Sequence, residues 1–140
     1  MTQPGRLISQ SAVIPYRCRD GQLQVLVITS SDGLRWVVPK GLVEHDMTPA
    51  ASAAKEALEE AGVTGRTSAA AVGTYTYGKW GGTCSVEVFL LRVDEELDDW
   101  QERFRTREWV PLAEAIRRVT DPGLKALLGR VPGLVGHEVG

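Results

Sequence analysis

Apolar and polar residues in the first third of the chain follow a period of two, the pattern of strands. Ser11 to Arg17 alternates loosely, and Leu23-Gln24-Val25-Leu26-Val27-Ile28 is a β-branched run. Asp20-Gly21 between them predicts a hairpin turn. Ser31-Asp32-Gly33 predicts a second turn, and Trp36 to Gly41 a short buried strand running into a turn. The period then changes to that of a helix. Between Thr48 and Gly62, Ala50, Ala54, Ala57, Leu58 and Ala61 fall on one side, with Glu56, Glu59 and Glu60 opposite. Thr48 suits the N-cap, Pro49 the first helical position, and Gly62 a left-handed close. The many alanines predict a helix lying close against a sheet. Beyond it, Gly65 to Tyr77 and Thr83 to Val93 predict strands joined by Gly78-Lys79-Trp80-Gly81-Gly82, and Glu108-Trp109-Val110 a short strand. Helical patterns cover Leu112 to Val119 and Asp121 to Val131. Mixed strands with helices between them predict an α/β fold layered as helix, sheet and helix.

Composition narrows the class. A chain of 140 residues fits one domain, expected over 1–140 with flexible tails at 1–10 and 132–140. A net charge of −2, from 16 basic and 18 acidic residues, argues against nucleic acid or membrane partners. No apolar run approaches the ~20 residues of a membrane span, and MTQPGRLISQ lacks a signal peptide's apolar stretch. Cys18 and Cys84 fit neither a disulfide framework nor a zinc site and read as two buried, reduced thiols. The expected setting is the cytoplasm. Oligomeric state is left open by the sequence.

The chemistry gathers at one helix face. Offsets of three and four residues place Glu56, Glu59 and Glu60 side by side. Like charges so close repel unless a cation sits among them, and Mg²⁺ is commonly held by few carboxylates plus phosphate oxygens. A solvated acidic face is the plain alternative, but the strand and glycine turn before the helix favour a built site.

These residues carry a resemblance. The segment GLVEHDMTPAASAAKEALEEAGV from Gly41 to Val63 is similar to the signature of the Nudix hydrolases. That signature is glycine, five residues, glutamate, seven residues, then Arg-Glu-apolar-x-Glu-Glu-x-Gly-apolar. Gly41 fills its opening glycine, and Glu56, Ala57, Glu59, Glu60, Gly62 and Val63 fill its end without insertion. Met47 stands where the pattern has its first glutamate, and Lys55 where it has arginine. In the family these two positions pair and hold the loop on the helix, so Glu44 and Asp46 are candidates to reach Lys55 instead. Arg35-Trp36-Val37-Val38-Pro39, Leu97-Asp98-Asp99-Trp100, Arg107-Glu108-Trp109 and Glu114-Ala115-Ile116 further resemble the diphosphoinositol polyphosphate phosphohydrolase branch. That branch acts on diphosphoinositol and diadenosine polyphosphates.

The resemblance implies a Nudix α/β/α sandwich, a mixed sheet between helices. It also implies Mg²⁺ or Mn²⁺ on Glu56, Glu59 and Glu60, which are the expected catalytic residues. The cation would neutralise phosphates and activate water for attack on a phosphoanhydride bond. Gly41, Lys40, Arg17, Arg19 and Trp80 are candidates for binding the phosphoanhydride substrate. Lys40 could equally be an exposed turn lysine, and packing over the sheet edge is the stronger reading of Trp80. A strand-end structural role is expected of Glu108. The loop around Lys79 is sparsely basic for a densely phosphorylated inositol, which favours nucleotide substrates, diadenosine polyphosphates first. A Nudix-fold sensor that binds a nucleotide without cleaving it is the alternative raised by Met47 and Lys55.

Overall fold

The computed structural model describes residues 6–139, the last four by backbone alone. Eight strands form one sheet: β1 (Arg6–Arg19), β2 (Gln22–Thr29), β3 (Trp36–Val37), β4 (Lys40–Leu42), β5 (Val63–Thr67), β6 (Gly73–Lys79), β7 (Gly82–Glu96) and β8 (Arg107–Pro111). Four helices accompany it: α1 (Pro49–Ala61), α2 (Leu112–Arg118), α3 (Pro122–Leu128) and α4 (Val131–Val139). β1 and β7 run parallel from Arg6↔Gly82 to Tyr16↔Arg92 and form the spine. The other strand pairs are antiparallel.

The sheet divides where the site lies. β2 pairs with β1 over Tyr16↔Val25 to Arg19↔Gln22, then takes β3 at Ile28 and Thr29. β1 takes β4 over Gln10↔Leu42 to Ala12↔Lys40. The segment from Trp36 to Leu42 therefore fills the gap that opens as β1 and β2 part. It makes two short strands, not the single one expected, because both of its neighbours need partners.

Alternation along the long strands sorts two cores. Val13, Leu26, Ile28, Phe89 and Leu91 face Ala53, Ala57 and Ala61 of α1. Ala12, Ile14, Val25, Val27, Val88 and Leu90 face Ala115, Leu124, Leu127, Leu128, Val131 and Val135 of the later helices. This is the expected three-layer α/β/α sandwich. Hairpins β1–β2 and β6–β7 turn on Asp20-Gly21 and Trp80-Gly81, whose φ values of 55° and 75°, and 55° and 71°, suit a two-residue turn with both residues left-handed.

Several expectations are corrected. Residues 6–10 belong to β1, held by β7, and are no tail; 1–5 and 140 lie outside the described residues. The segment after Pro132 is helix α4, anchored by buried Val131 and Val135. Gly65 to Tyr77 is two strands, β5 and β6, on opposite ends of β7. Cys84 is buried but Cys18 is exposed near the end of β1. Within α1, Leu58 is 40% exposed while Glu60 is only 8% exposed. The apolar face is centred on Ala53, Ala57 and Ala61, and Glu60, three residues past Ala57, lies only ~60° from that centre at ~100° per residue.

Candidate active site

The carboxylates are positioned by a helix fixed at both ends. Thr48 Oγ1 accepts the Ala51 N–H at 3.1 Å, and Gly62 closes the helix at φ 66°. Its last carbonyls are orphans by construction, and the segment from Leu97 to Arg107 satisfies them. The Glu59 carbonyl accepts from the Glu102 N–H at 2.9 Å, and the Glu60 carbonyl from Trp100 Nε1 at 3.1 Å. Ala61 accepts from Arg107 Nη1 at 2.8 Å, and Gly62 from the Leu97 N–H at 2.8 Å. The Arg107 guanidinium also lies 3.9 Å over the Trp100 ring.

Along β4 the helix is tied residue by residue. Ser52 Oγ donates to the Leu42 carbonyl at 3.2 Å, and Glu60 Oε1 accepts the Lys40 N–H at 3.4 Å. Between them Glu56 packs on Gly41, where a Cβ would stand 2.4 Å from Glu56 Oε1. Close approach is thus the reason for a glycine at 41. Lys55 Nζ lies 2.5 Å from Glu44 and 3.5 Å from Glu59. Glu44 supplies the loop-to-helix ion pair that Met47 cannot.

Burial sets the charge state. It pushes the Glu60 carboxyl up to about 8, helped by its hydrogen bond with Glu56 and opposed by Arg105. Glu56 is raised too, first by burial, then by Glu59 and Glu102, while its hydrogen bond with Glu60 acts against this. Both carboxyls therefore hold a proton more readily than exposed ones do. A pair of carboxyls, one buried and one half-buried, is a donor set that a divalent cation can take over by displacing protons. Among the described residues no three acidic, histidine or cysteine side chains already converge on one point. Glu59 faces Lys55 instead. Two carboxylates suffice for Mg²⁺ where phosphates and water complete the shell, so the residues present fit such an ion.

A cleft leads away from Glu60. One cavity, about 190 Å³, is lined by Arg35, Lys40, Lys79 and Arg105 with Gln10 and Glu60. A narrower one, about 70 Å³, shares Arg35 and Lys40 and continues to Trp36, Tyr75, Tyr77 and Asp121. Burial lowers the Lys40 ammonium's pKa, with Lys79 and Arg35 adding repulsion and Glu60 opposing them. An anion in this cleft relieves that repulsion. Arg105 is committed to Glu102 at 2.8 Å and to the Thr29 carbonyl at 2.9 Å.

The structure brings Glu56, Glu60, Gly41 and Lys40 together, with Glu59 at the rim. It does not bring Arg17 or Arg19. Arg17 stacks 4.2 Å from the Trp109 ring and donates to Gln24 Oε1 at 2.7 Å. It stands five residues beyond Ala12, the partner of Lys40, about 17 Å along the strand. Trp80 lines neither cavity; it sits 63% exposed at the hairpin tip under Lys79. Glu108 is a structural partner of Arg118, at 3.0 Å. Sequence reasoning overlooks Arg35, Lys79, Tyr75, Tyr77 and Arg105 as site residues. The period-two pair Tyr75 and Tyr77 was the readable signal; Arg105 offered none.

Comparison with known proteins bears on the family and the fold. The NUDIX domain family matches residues 9–128, and the chain belongs to that family. It is 37% identical over 115 residues to Nudix hydrolase 16, mitochondrial, of Arabidopsis thaliana, covering 76% of this chain and 63% of the relative. It is 32% identical over 111 residues to diphosphoinositol polyphosphate phosphohydrolase 3-alpha of Mus musculus, covering 77% and 66%. The chain thus spans less than two thirds of both relatives' length. Among solved structures, a C. elegans Ap4A hydrolase binary complex superposes with a TM-score of 0.78 at 22% identity, over 93% of this chain and 98% of that one. The NUDIX domain of Shewanella oneidensis NrtR complexed with ADP ribose gives 0.70 at 16% identity, over 89% and 87%. These two likenesses show the fold.

Proposed function

We propose that this domain is a divalent-cation-dependent hydrolase of phosphoanhydride bonds in nucleoside diphosphate-linked compounds, with diadenosine polyphosphates as the favoured substrates. The observation that carries this reading is a pair of adjoining cavities that share Arg35 and Lys40: one places Glu60 with Lys40, Lys79 and Arg35, and the other reaches Tyr75 and Tyr77. That order matches a phosphate chain followed by an aromatic base. Mg²⁺ or Mn²⁺ on Glu56 and Glu60, with Glu59 beside them, supplies charge neutralisation and water activation.

The chain's own groups do the rest. Lys40 and Lys79 draw the non-bridging oxygens into the cleft, and Arg35 holds them across it. A carboxylate of the cluster accepts the proton of the attacking water as its oxygen bonds to phosphorus. The bridging P–O bond breaks, and its oxygen leaves on the departing phosphate. Tyr77, beneath the Lys40 ammonium at 5.2 Å and bonded to Gln10 at 2.7 Å, fixes the wall on which a base can stack.

The sensing alternative rests on the loss of the glutamate at Met47, and the Glu44–Lys55 contact at 2.5 Å weighs against it. The test is incubation with Mg²⁺ or Mn²⁺ and diadenosine polyphosphates, ADP-ribose, nucleotide sugars, nucleoside triphosphates and a diphosphoinositol, with products resolved by anion exchange. The reading expects cleavage that requires the cation and is fastest on a diadenosine polyphosphate. Ligand binding without any product would establish a sensor instead.

A further inference from the structure

One buried group beside the carboxylates has no protein partner. Ser11 is fully buried in the middle of β1, and its Oγ is the buried side-chain polar atom without a hydrogen bond among the described residues. Its direction follows from the sheet. Val13, two residues on, packs on the alanines of α1, so Ser11 projects to that same face. Across β4 its direct partner is Gly41, and across β7 it is Glu87. Residues directly opposite on antiparallel strands hold their Cβ atoms about 4.5–5.5 Å apart. A Cβ on Gly41 would stand 2.4 Å from Glu56 Oε1, so the Glu56 carboxylate packs over that position. Ser11 therefore lies in the row over which Glu56 stands, at about the separation that one water molecule spans.

A buried hydroxyl without a partner is costly, and such groups are rare in native proteins. Alanine would fill the same space without that cost. We propose that Ser11 is a positioning residue of the cation site: its hydroxyl hydrogen-bonds the hydration shell of a divalent cation held by Glu56 and Glu60. This rests on the cation-dependent reading above. Mg²⁺ keeps several of its waters when bound, and a buried water needs two to four polar partners. Glu56, Glu87 and Ser11 supply oxygens of that kind on one face, and the Ser11 hydroxyl can both donate and accept.

The test compares wild type with Ser11→Ala by thermal melts without cation and by Mn²⁺ titration followed by calorimetry. The proposal expects the cation-free melting temperature of Ser11→Ala to equal or exceed that of wild type. It expects Mn²⁺ affinity about tenfold weaker, the lower end of losses at residues supporting metal ligands, with Ser11→Thr closer to wild type than Ser11→Ala. Equal Mn²⁺ affinity in wild type and Ser11→Ala overturns it. So does a cation-free melting temperature lowered in Ser11→Ala, which assigns the hydroxyl a partner inside the cation-free protein. If wild type itself binds no Mn²⁺, the cation-dependent reading falls, a result distinct from failure of Ser11 alone.

Discussion

Lys55 Nζ sits 2.5 Å from Glu44 and 3.5 Å from Glu59, so one ammonium joins the loop after β4 to the acidic face of α1. Hydrogen bonding with Glu44 is the main reason its pKa is raised. The contact is exposed, and exposed pairs add little to stability. Its consequence is positional. Lys55→Met should leave the melting temperature nearly unchanged yet lower kcat by about 10- to 100-fold, the range expected for modest misplacement of a catalytic group. Glu44→Ala should do the same, and the double variant should fall no further if the two act as one contact. Additive losses in the kinetic cycle would contradict this.

The raised Glu60 carboxyl predicts a pH dependence of stability. With its pKa at about 8 in the fold, against an ordinary 4.5, the native state binds more protons than the unfolded chain between those values. Stability then falls as pH rises. The benefit of the neutral form is complete below about pH 4.5 and is lost as pH climbs through 8. Cation-free protein should melt at a higher temperature at pH 6 than at pH 9, and Glu60→Gln should flatten this slope. A wild-type melting temperature that rises over the same interval would refute the assignment.

Trp100 gives the cleanest test of how α1 is held. Trp100→Phe keeps a ring beneath the Arg107 guanidinium but removes the 3.1 Å hydrogen bond to the Glu60 carbonyl. The expected cost is about 1 kcal/mol in denaturant unfolding, with some loss of turnover because the carbonyl belongs to a carboxylate residue of the site. An unchanged midpoint would mean that the Glu102, Arg107 and Leu97 contacts hold the helix end alone.

Gly41→Ala addresses the approach of strand to helix. The added methyl would overlap the Glu56 carboxylate, since the Cβ position lies 2.4 Å from Oε1. A side chain can move where backbone cannot, so the fold should persist. Glu56 should turn away, and Mn²⁺ affinity measured by calorimetry should drop at least about tenfold. Wild-type affinity in this variant would remove Glu56 from the cation site.

Local offsets explain why the site was partly legible in the sequence. Glu56, Glu59 and Glu60 lie within five residues of one another on one helix, and Thr48, Pro49 and Gly62 mark its ends, so spacing alone defines that arrangement. Gly41 and Lys40 come with the same local signature. Burial of Glu60 was less legible, because it comes from how α1 packs on the sheet, where β4 brings the Lys40 N–H to its carboxylate. Arg105 and Arg35 reach the cleft only through the splitting of β1 from β2, a long-range event without local periodicity. Arg17 shows the converse. A basic residue on the right strand is misleading when that strand is 14 residues long and the site occupies only its middle. The tails misled for a related reason, since Leu7 and Val135 belong to elements whose partners are distant in sequence.

The most direct test of the central claim is a single-turnover assay of diadenosine tetraphosphate hydrolysis, with and without Mn²⁺, for wild type and Glu60→Gln. Products would be resolved by anion exchange, and folding of the variant checked by its melting curve. The account predicts cleavage by wild type only with the cation, and a loss of about 10²- to 10³-fold in folded Glu60→Gln, since charge stabilisation is usually the largest catalytic contribution. Cleavage that proceeds equally without cation, or that survives in Glu60→Gln, would contradict it.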